Sequence, residues 1–201
     1  EEIALLTPLG IEIYDSNNER QYRNPVSLKV SEQIIDKMNF KHFMLKEIYD
    51  QPDTAKNWLK NYVIQNLENG QYQINYPFDT KFFDSIERIE IIACGTSKHA
   101  AMVGCFLLEQ FSGIPTNVYY ASEFRYSPPP LLPNTLTIGV SQSGETADTI
   151  AAIDMEIKRR SLIKDERFKP NLIAITNRRE SSIGRQVSNI IDICAGIEVG
   201  V

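Results

Sequence analysis

Ala93-Cys94-Gly95-Thr96-Ser97 and Ser141-Gln142-Ser143-Gly144-Glu145-Thr146 are where this chain concentrates small polar side chains around glycine. Each follows an apolar, strand-like run and opens a helix-like one. A loop at the carboxyl end of a parallel strand, leading into a helix, offers unpaired backbone N–H groups and the positive end of the helix dipole. That combination binds anions. Both loops add hydroxyl side chains to the amides, so the expected ligand has several oxygens to satisfy, as a phosphate on a sugar does. The second loop contains no Lys or Arg, and the first has only Lys98 beside it.

Each residue also has a plainer reading. Ser and Thr cap helices in any protein, and one hydroxyl would be explained that way; Ser141, Ser143 and Thr146 place three around the permissive Gly144. Cys94 could act as a nucleophile with His99, since a helix amino terminus lowers a thiol's pKa. Five residues apart across a strand–helix junction, the two have no assured contact, and a small buried Cys is the commoner case. Cys105 and Cys194 lie in apolar contexts and read as core, and His42 reads as a surface or packing residue. Glu145 is placed to favour a helix start and must point away from any bound phosphate. Lys158-Arg159-Arg160 read as solvated charge at a helix end, where the dipole favours cations; Arg178-Arg179 follow a strand on the ligand edge.

The elements that must position these loops are legible as periodicity. Glu2 to Leu6 and Ile11 to Tyr14 are β-prone around a turn-like Thr7-Pro8-Leu9-Gly10, and Asp15 to Pro25 reads as a linker. From Ser31 to Glu68 the pattern is helical, with a break expected at Pro52 and an end at Asn69-Gly70. Beyond Phe82, strands at 89–93, 116–120, 135–140, 171–176 and 190–194 alternate with helices at 97–112, 146–160 and 181–187, with one helical turn at 121–126. This alternation predicts an α/β fold, a three-layer sandwich with a mostly parallel sheet of about five strands. In such sheets ligands lie outside the carboxyl ends of the strands, the edge on which both hydroxyl-rich loops fall.

The 201 residues suffice for one well-buried domain with an appendage. A net charge of -5 and the lack of a basic stripe argue against nucleic acid as a partner. Three cysteines without C-x-x-C spacing suggest neither a disulfide framework nor a zinc site, and fit a reducing cytoplasm. No run approaches the roughly 20 apolar residues of a membrane span. Beginning at Glu1 without Met and stopping at Val201, the chain reads as a piece of something longer.

The chain resembles the glucosamine-6-phosphate synthase family in its sugar isomerase (SIS) part. The resemblance runs through Lys46-Glu47-Ile48-Tyr49-Asp50-Gln51-Pro52, Ala93 to Ser97, Ala121-Ser122-Glu123-Phe124-Arg125-Tyr126, Ser141 to Thr149 and Ala195-Gly196-Ile197-Glu198-Val199-Gly200-Val201. The two loop segments recur in SIS proteins generally; the first and last segments are far more specific. The resemblance implies a SIS, flavodoxin-like fold and an enzyme that makes glucosamine 6-phosphate from fructose 6-phosphate and glutamine, with no pyridoxal cofactor. It implies that residues 1–26 are the end of a glutaminase domain and a linker, 27–80 a helical lead-in, and 81–201 the first SIS subdomain.

By motif, Ser141, Gln142, Ser143 and Thr146 would hold the phosphate, and Cys94, Gly95, Thr96, Ser97 and Val201 would line the sugar. The family's acid/base Glu, Schiff-base Lys and ring-opening His belong to a second SIS subdomain or a carboxyl-terminal tail absent here, so no catalytic residue is expected in this piece. Expected partners are the sugar phosphate, the glutaminase domain and second SIS subdomain of one longer chain, and a second copy in a homodimer. Two other readings share the pattern: a stand-alone SIS module that binds a phosphosugar as a regulatory signal, and a flavodoxin-like cofactor protein.

Overall fold

The computed structural model describes residues 2–24, 36–66 and 70–200. The chain divides into two compact units, Glu1–Asp36 and Lys37–Val201. In the first, Glu2–Thr7 (β1) and Gly10–Asp15 (β2) pair antiparallel, as their alternation predicts. The stretch expected to be a linker instead adds a third strand, Arg20–Gln21 (β3), on β2. The cause is Asp15, whose carboxylate accepts the Asn17 and Glu19 N–H groups at 2.9 Å and the Gln21 side-chain amide at 2.7 Å. An Asp bonded to the backbone two residues on turns the chain without any apolar signal.

In the second unit, Phe43–Tyr62 (α1) is one helix that runs through Pro52. The break expected there does not occur. Proline's ring suits helical φ and removes one N–H donor, a cost of one hydrogen bond that this 20-residue helix bears without breaking. Met44, Glu47, Ile48, Gln51, Thr54, Ala55 and Trp58 share one face, in steps of three and four residues across the proline, and line a cleft. The helix also ends earlier than its periodicity suggests. Val63–Gln65 (β4) pairs antiparallel with Tyr72–Ile74 (β5), because the β-branched Val63 and Ile64 fit a strand better than a helix end. Residues 36–42, expected to be helical, are turn and coil ahead of α1, while the expected start at Ser31 and residues 67–69 near the expected end at Asn69-Gly70 lie outside the described residues.

The remaining elements are Arg88–Ala93 (β6), Gly95–Ser112 (α2), Thr116–Tyr120 (β7), Ala121–Phe124 (α3), Thr135–Val140 (β8), Ala147–Ser161 (α4), Asn171–Thr176 (β9), Ser182–Gln186 (α5) and Asn189–Asp192 (β10). Strands β6 to β10 form one parallel sheet in the order β10-β9-β8-β6-β7. Ile89, Ile91, Leu136, Ile138 and Ile173 pack on one face with Ala101, Cys105 and Leu108 of α2 and with Phe78, Phe82 and Phe83. Residues of the opposite face, Ile92 and Ala174 among them, meet α3, α4 and α5 through Phe124, Ala152, Ile153 and Ile183. Burial on both faces is why these strands read as nearly continuous apolar runs. Gly113 closes α2 at φ 70°, in the left-handed region glycine enters without strain.

Two expectations about polar residues change. Arg160 is 1% exposed rather than solvated: its Nε donates to Glu156 at 2.6 Å and its Nη1 to the Leu132 carbonyl at 3.1 Å. Arg159 donates to Glu156 at 3.2 Å and to the Pro129 carbonyl at 2.6 Å, so the pair anchors the proline-rich loop before β8. Cys105 is packed with the core and its thiol donates to the Thr116 carbonyl at 3.2 Å, with burial pushing its pKa up. Cys194, by contrast, lies beyond β10 with φ 57°, half-buried, where the chain leaves the sheet. Among the described residues no helix is long and apolar enough to cross a membrane.

Candidate functional site

Strands β6 and β8 are neighbours, yet their onward connections diverge: β6 leads through α2 to β7 on one side, and β8 through α4 to β9 on the other. Their carboxyl ends therefore flank the topological switch point, where a crevice opens in doubly wound sheets. The loops 94–97 and 141–146 are the two that leave from it.

In the first loop Cys94 is extended and Gly95, at φ 53°, turns the chain into α2. The Cys94 side chain packs against the apolar group of Ile92, Ala121, Phe124 and Ala152, while His99 lies exposed on α2. That separation gives no support to a thiol–imidazole pair. Thr96 opens into a cleft, Ser97 is half-buried, and the Lys98 ammonium sits 3.7 Å from the centre of the Tyr120 ring.

The second loop is braced from within and from β9. Ser141 is 2% exposed; its hydroxyl lies 2.9 Å from that of Thr146 and accepts the Gly144 N–H at 3.1 Å. The Gln142 carbonyl accepts from the Thr176 hydroxyl at 3.2 Å and the Asn177 N–H at 2.9 Å. Gly144 has φ 65°, and a Cβ there would fall on the Ser181 hydroxyl. Glu145 reaches the start of α5, accepting the Ser182 N–H at 2.8 Å, and hydrogen bonding from Ser182 holds its pKa below the usual carboxylate value. Ser143 and Thr146 remain half-buried at the mouth of α4. Ser143 Oγ accepts the Glu145 N–H at 3.2 Å, which leaves its own proton free to donate.

Thr96 and Gln142, one from each loop, line the same cleft of about 1090 Å³. Its other walls are the continuous face of α1 and the segment 193–200 that follows β10. Val201, expected to line the sugar, lies outside the described residues. Two residues not expected among the site residues hold this segment, although Glu47 and residues 195–200 belong to the two segments most specific to the resemblance. The Asn177 side chain accepts the Ala195 N–H at 2.8 Å and donates to the Gly196 carbonyl. The Glu47 carboxylate accepts the N–H groups of Val199 at 2.7 Å and Gly200 at 3.0 Å. Nothing in local spacing could signal either role, since each partner is distant in sequence.

Residues 82–201 match the SIS domain model. The chain belongs to the SIS domain family. Over its whole length this SIS chain is 52% identical to the glutamine–fructose-6-phosphate aminotransferase (isomerizing) of Thermosynechococcus vestitus and 49% identical to that of Synechocystis sp., and it spans 32% of the length of each. The C-terminal domain of glucosamine-fructose-6-phosphate aminotransferase from Francisella tularensis superposes with a TM-score of 0.70 at 30% identity, over 82% of this chain and 43% of that one. A glucosamine-6-phosphate deaminase structure from Thermotoga maritima, at 21% identity and a TM-score of 0.55 over 76% of this chain and 40% of that one, shares the fold.

Proposed function

We propose that this chain is the sugar-phosphate-binding part of an enzyme that converts fructose 6-phosphate and glutamine to glucosamine 6-phosphate and glutamate. The observation that carries the proposal is the pair of hydroxyl-bearing loops at the switch point of a SIS sheet, in a chain 52% identical over its full length to a glutamine–fructose-6-phosphate aminotransferase. In this reading Ser143, Thr146 and the free amides at the start of α4 hold the phosphate, and Ser141 acts from behind by fixing Thr146. The sugar extends over Cys94 to Ser97 into the cleft where Thr96 and Gln142 meet, towards Val201. A phosphate at the α4 amino terminus gains from the helix dipole without a cationic partner.

The same reading assigns residues 1–26 to the end of a glutaminase domain and its linker, 27–80 to the lead-in and 81–201 to the first SIS subdomain. It places the enzyme in the cytoplasm and makes it a homodimer. Met102, Val103, Phe106 and Phe111 on α2 are exposed, and an apolar patch of this kind marks a contact surface.

The test is calorimetric titration of the 201-residue chain with fructose 6-phosphate and glucosamine 6-phosphate, alongside an assay for glucosamine 6-phosphate production with ammonia supplied. Binding without turnover is expected, because the general acid and base of the reaction are assigned to a part of the enzyme outside this chain. Failure to bind either sugar phosphate overturns the assignment, and turnover above the no-enzyme control overturns the division of roles. Ligand-linked gene regulation in the absence of aminotransferase activity in the longer protein would favour a signal-binding SIS module instead.

A further inference from the structure

After β10 the chain leaves the sheet through Cys194 and Gly196, both with positive φ, and runs as an irregular segment along α1. Such a segment has no ladder to hold it, and residues 195–199 are exposed, so its course is set by the few side chains that bond its backbone. Near its start the Asn177 amide brackets Ala195 and Gly196, and Asn177's own N–H is bonded to the Gln142 carbonyl of the second loop. At its far end one carboxylate, Glu47, takes the N–H groups of both Val199 and Gly200 from 152 and 153 residues earlier in the chain.

Gly200 lies so close to α1 that a Cβ would meet Glu47 Oε2 at 2.6 Å and the Met44 Cα at 3.0 Å. Glu47 and Gly200 both line the cleft that Thr96 and Gln142 enter. We infer that Glu47 is a positioning residue, which with Asn177 seats residues 195–200 as a wall of the sugar cleft. Its effect on ligand rests on the sugar-phosphate reading above; its effect on the segment does not.

The continuity of α1 through Pro52 fits this role. Glu47 stands in the turn before the proline, and Gln51, Thr54 and Trp58 continue the same wall after it. A helix broken at Pro52 would separate the carboxylate from the rest of that face. Hydrogen bonds from two amides to one ionised carboxylate are among the stronger kind, and they fix the height of the segment above the helix as well as its presence there.

The experiment compares wild type with Glu47→Ala, Glu47→Gln and Gly200→Ala. Amide hydrogen exchange at Val199 and Gly200 is measured by NMR, and fructose 6-phosphate and inorganic phosphate are titrated separately. Glu47→Ala should speed exchange at both amides and weaken fructose 6-phosphate by up to about tenfold, as the wall loses the charged hydrogen bonds that seat it. Inorganic phosphate, held by the 141–146 loop alone, should be unaffected. Glu47→Gln keeps one acceptor oxygen and should recover part of the loss. Gly200→Ala, which lifts the segment while leaving the carboxylate intact, should reproduce the Glu47→Ala pattern. Unchanged exchange in Glu47→Ala overturns the seating, and equal weakening of both ligands overturns the selective role. A wild-type chain that binds neither ligand removes the sugar-phosphate reading and the wall function with it, while the exchange data still report whether Glu47 seats the segment.

Discussion

The hydroxyls of Ser141 and Thr146 lie 2.9 Å apart, with the first buried beneath the loop and the second half-open at the helix mouth. Three hydroxyl side chains in one loop are thereby divided: Ser141 is a brace, while Ser143 and Thr146 stand where a ligand can reach them.

This division predicts distinct responses to substitution. Ser143→Ala should weaken fructose 6-phosphate by about 1–3 kcal/mol, the range for bonds to a charged group, and leave stability unchanged. Ser141→Ala should lower both, because the Gly144 N–H and the Thr146 hydroxyl lose a buried partner. Cys94→Ala should cost far less affinity, since a thiol is a weak hydrogen-bond partner. Calorimetric titration paired with thermal melting separates the three. Lost affinity in Cys94→Ala with none in Ser143→Ala would return the thiol to consideration.

Two glycines should respond with opposite sign. At Gly144 a Cβ would overlap the Ser181 hydroxyl in a left-handed backbone, so Gly144→Ala should destabilise by about 1–3 kcal/mol. At Gly104, in the middle of α2 with open space around it, Gly104→Ala should stabilise by about 0.5–1 kcal/mol through helix propensity. Urea denaturation midpoints measure both.

Glu156→Ala should cost about 3–5 kcal/mol, because it leaves the Arg160 guanidinium buried without its carboxylate. The proline-rich loop before β8 should loosen with it, as Arg159 and Arg160 carry the hydrogen bonds to Pro129 and Leu132. Limited proteolysis at residues 127–134 would detect that loosening, and a loop as resistant as in wild type would contradict the anchoring role.

Glu90 sets a pH dependence. Burial, and then the nearby charge of Glu156, raise its pKa above the ordinary value of 4.5, against opposing contributions from Arg160, Arg88 and Arg159. A carboxyl with a higher pKa folded than unfolded binds more protons in the folded state, so its contribution to stability falls as pH rises from the unfolded value through the folded one. Glu90→Gln, which cannot ionise, should therefore raise the melting temperature relative to wild type at pH 7.5, and the difference should shrink as the pH falls below 4. A constant difference across that range would place the effect in packing.

The five parallel strands, the helices between them and the two hydroxyl-rich loops were determined by sequence alone. Each is specified locally: buried parallel strands must be apolar, a helix end such as Gly113 needs a left-handed residue, and loop chemistry lies in consecutive positions. The fate of α1 was not legible, because a proline's local cost is plain in sequence while the helix that runs on through it is seen only in three dimensions. The burial of Arg160 was hidden for the same reason, its carbonyl partner Leu132 being 28 residues away. Glu47 and Asn177 mark the limit most clearly. Their partners are backbone amides and a carbonyl of a non-repetitive segment, and a bond from a side chain to distant main chain leaves no periodicity and demands no particular residue at the other end. Only the tertiary structure decided that the 195–200 segment lies against α1, and so which residues close the cleft.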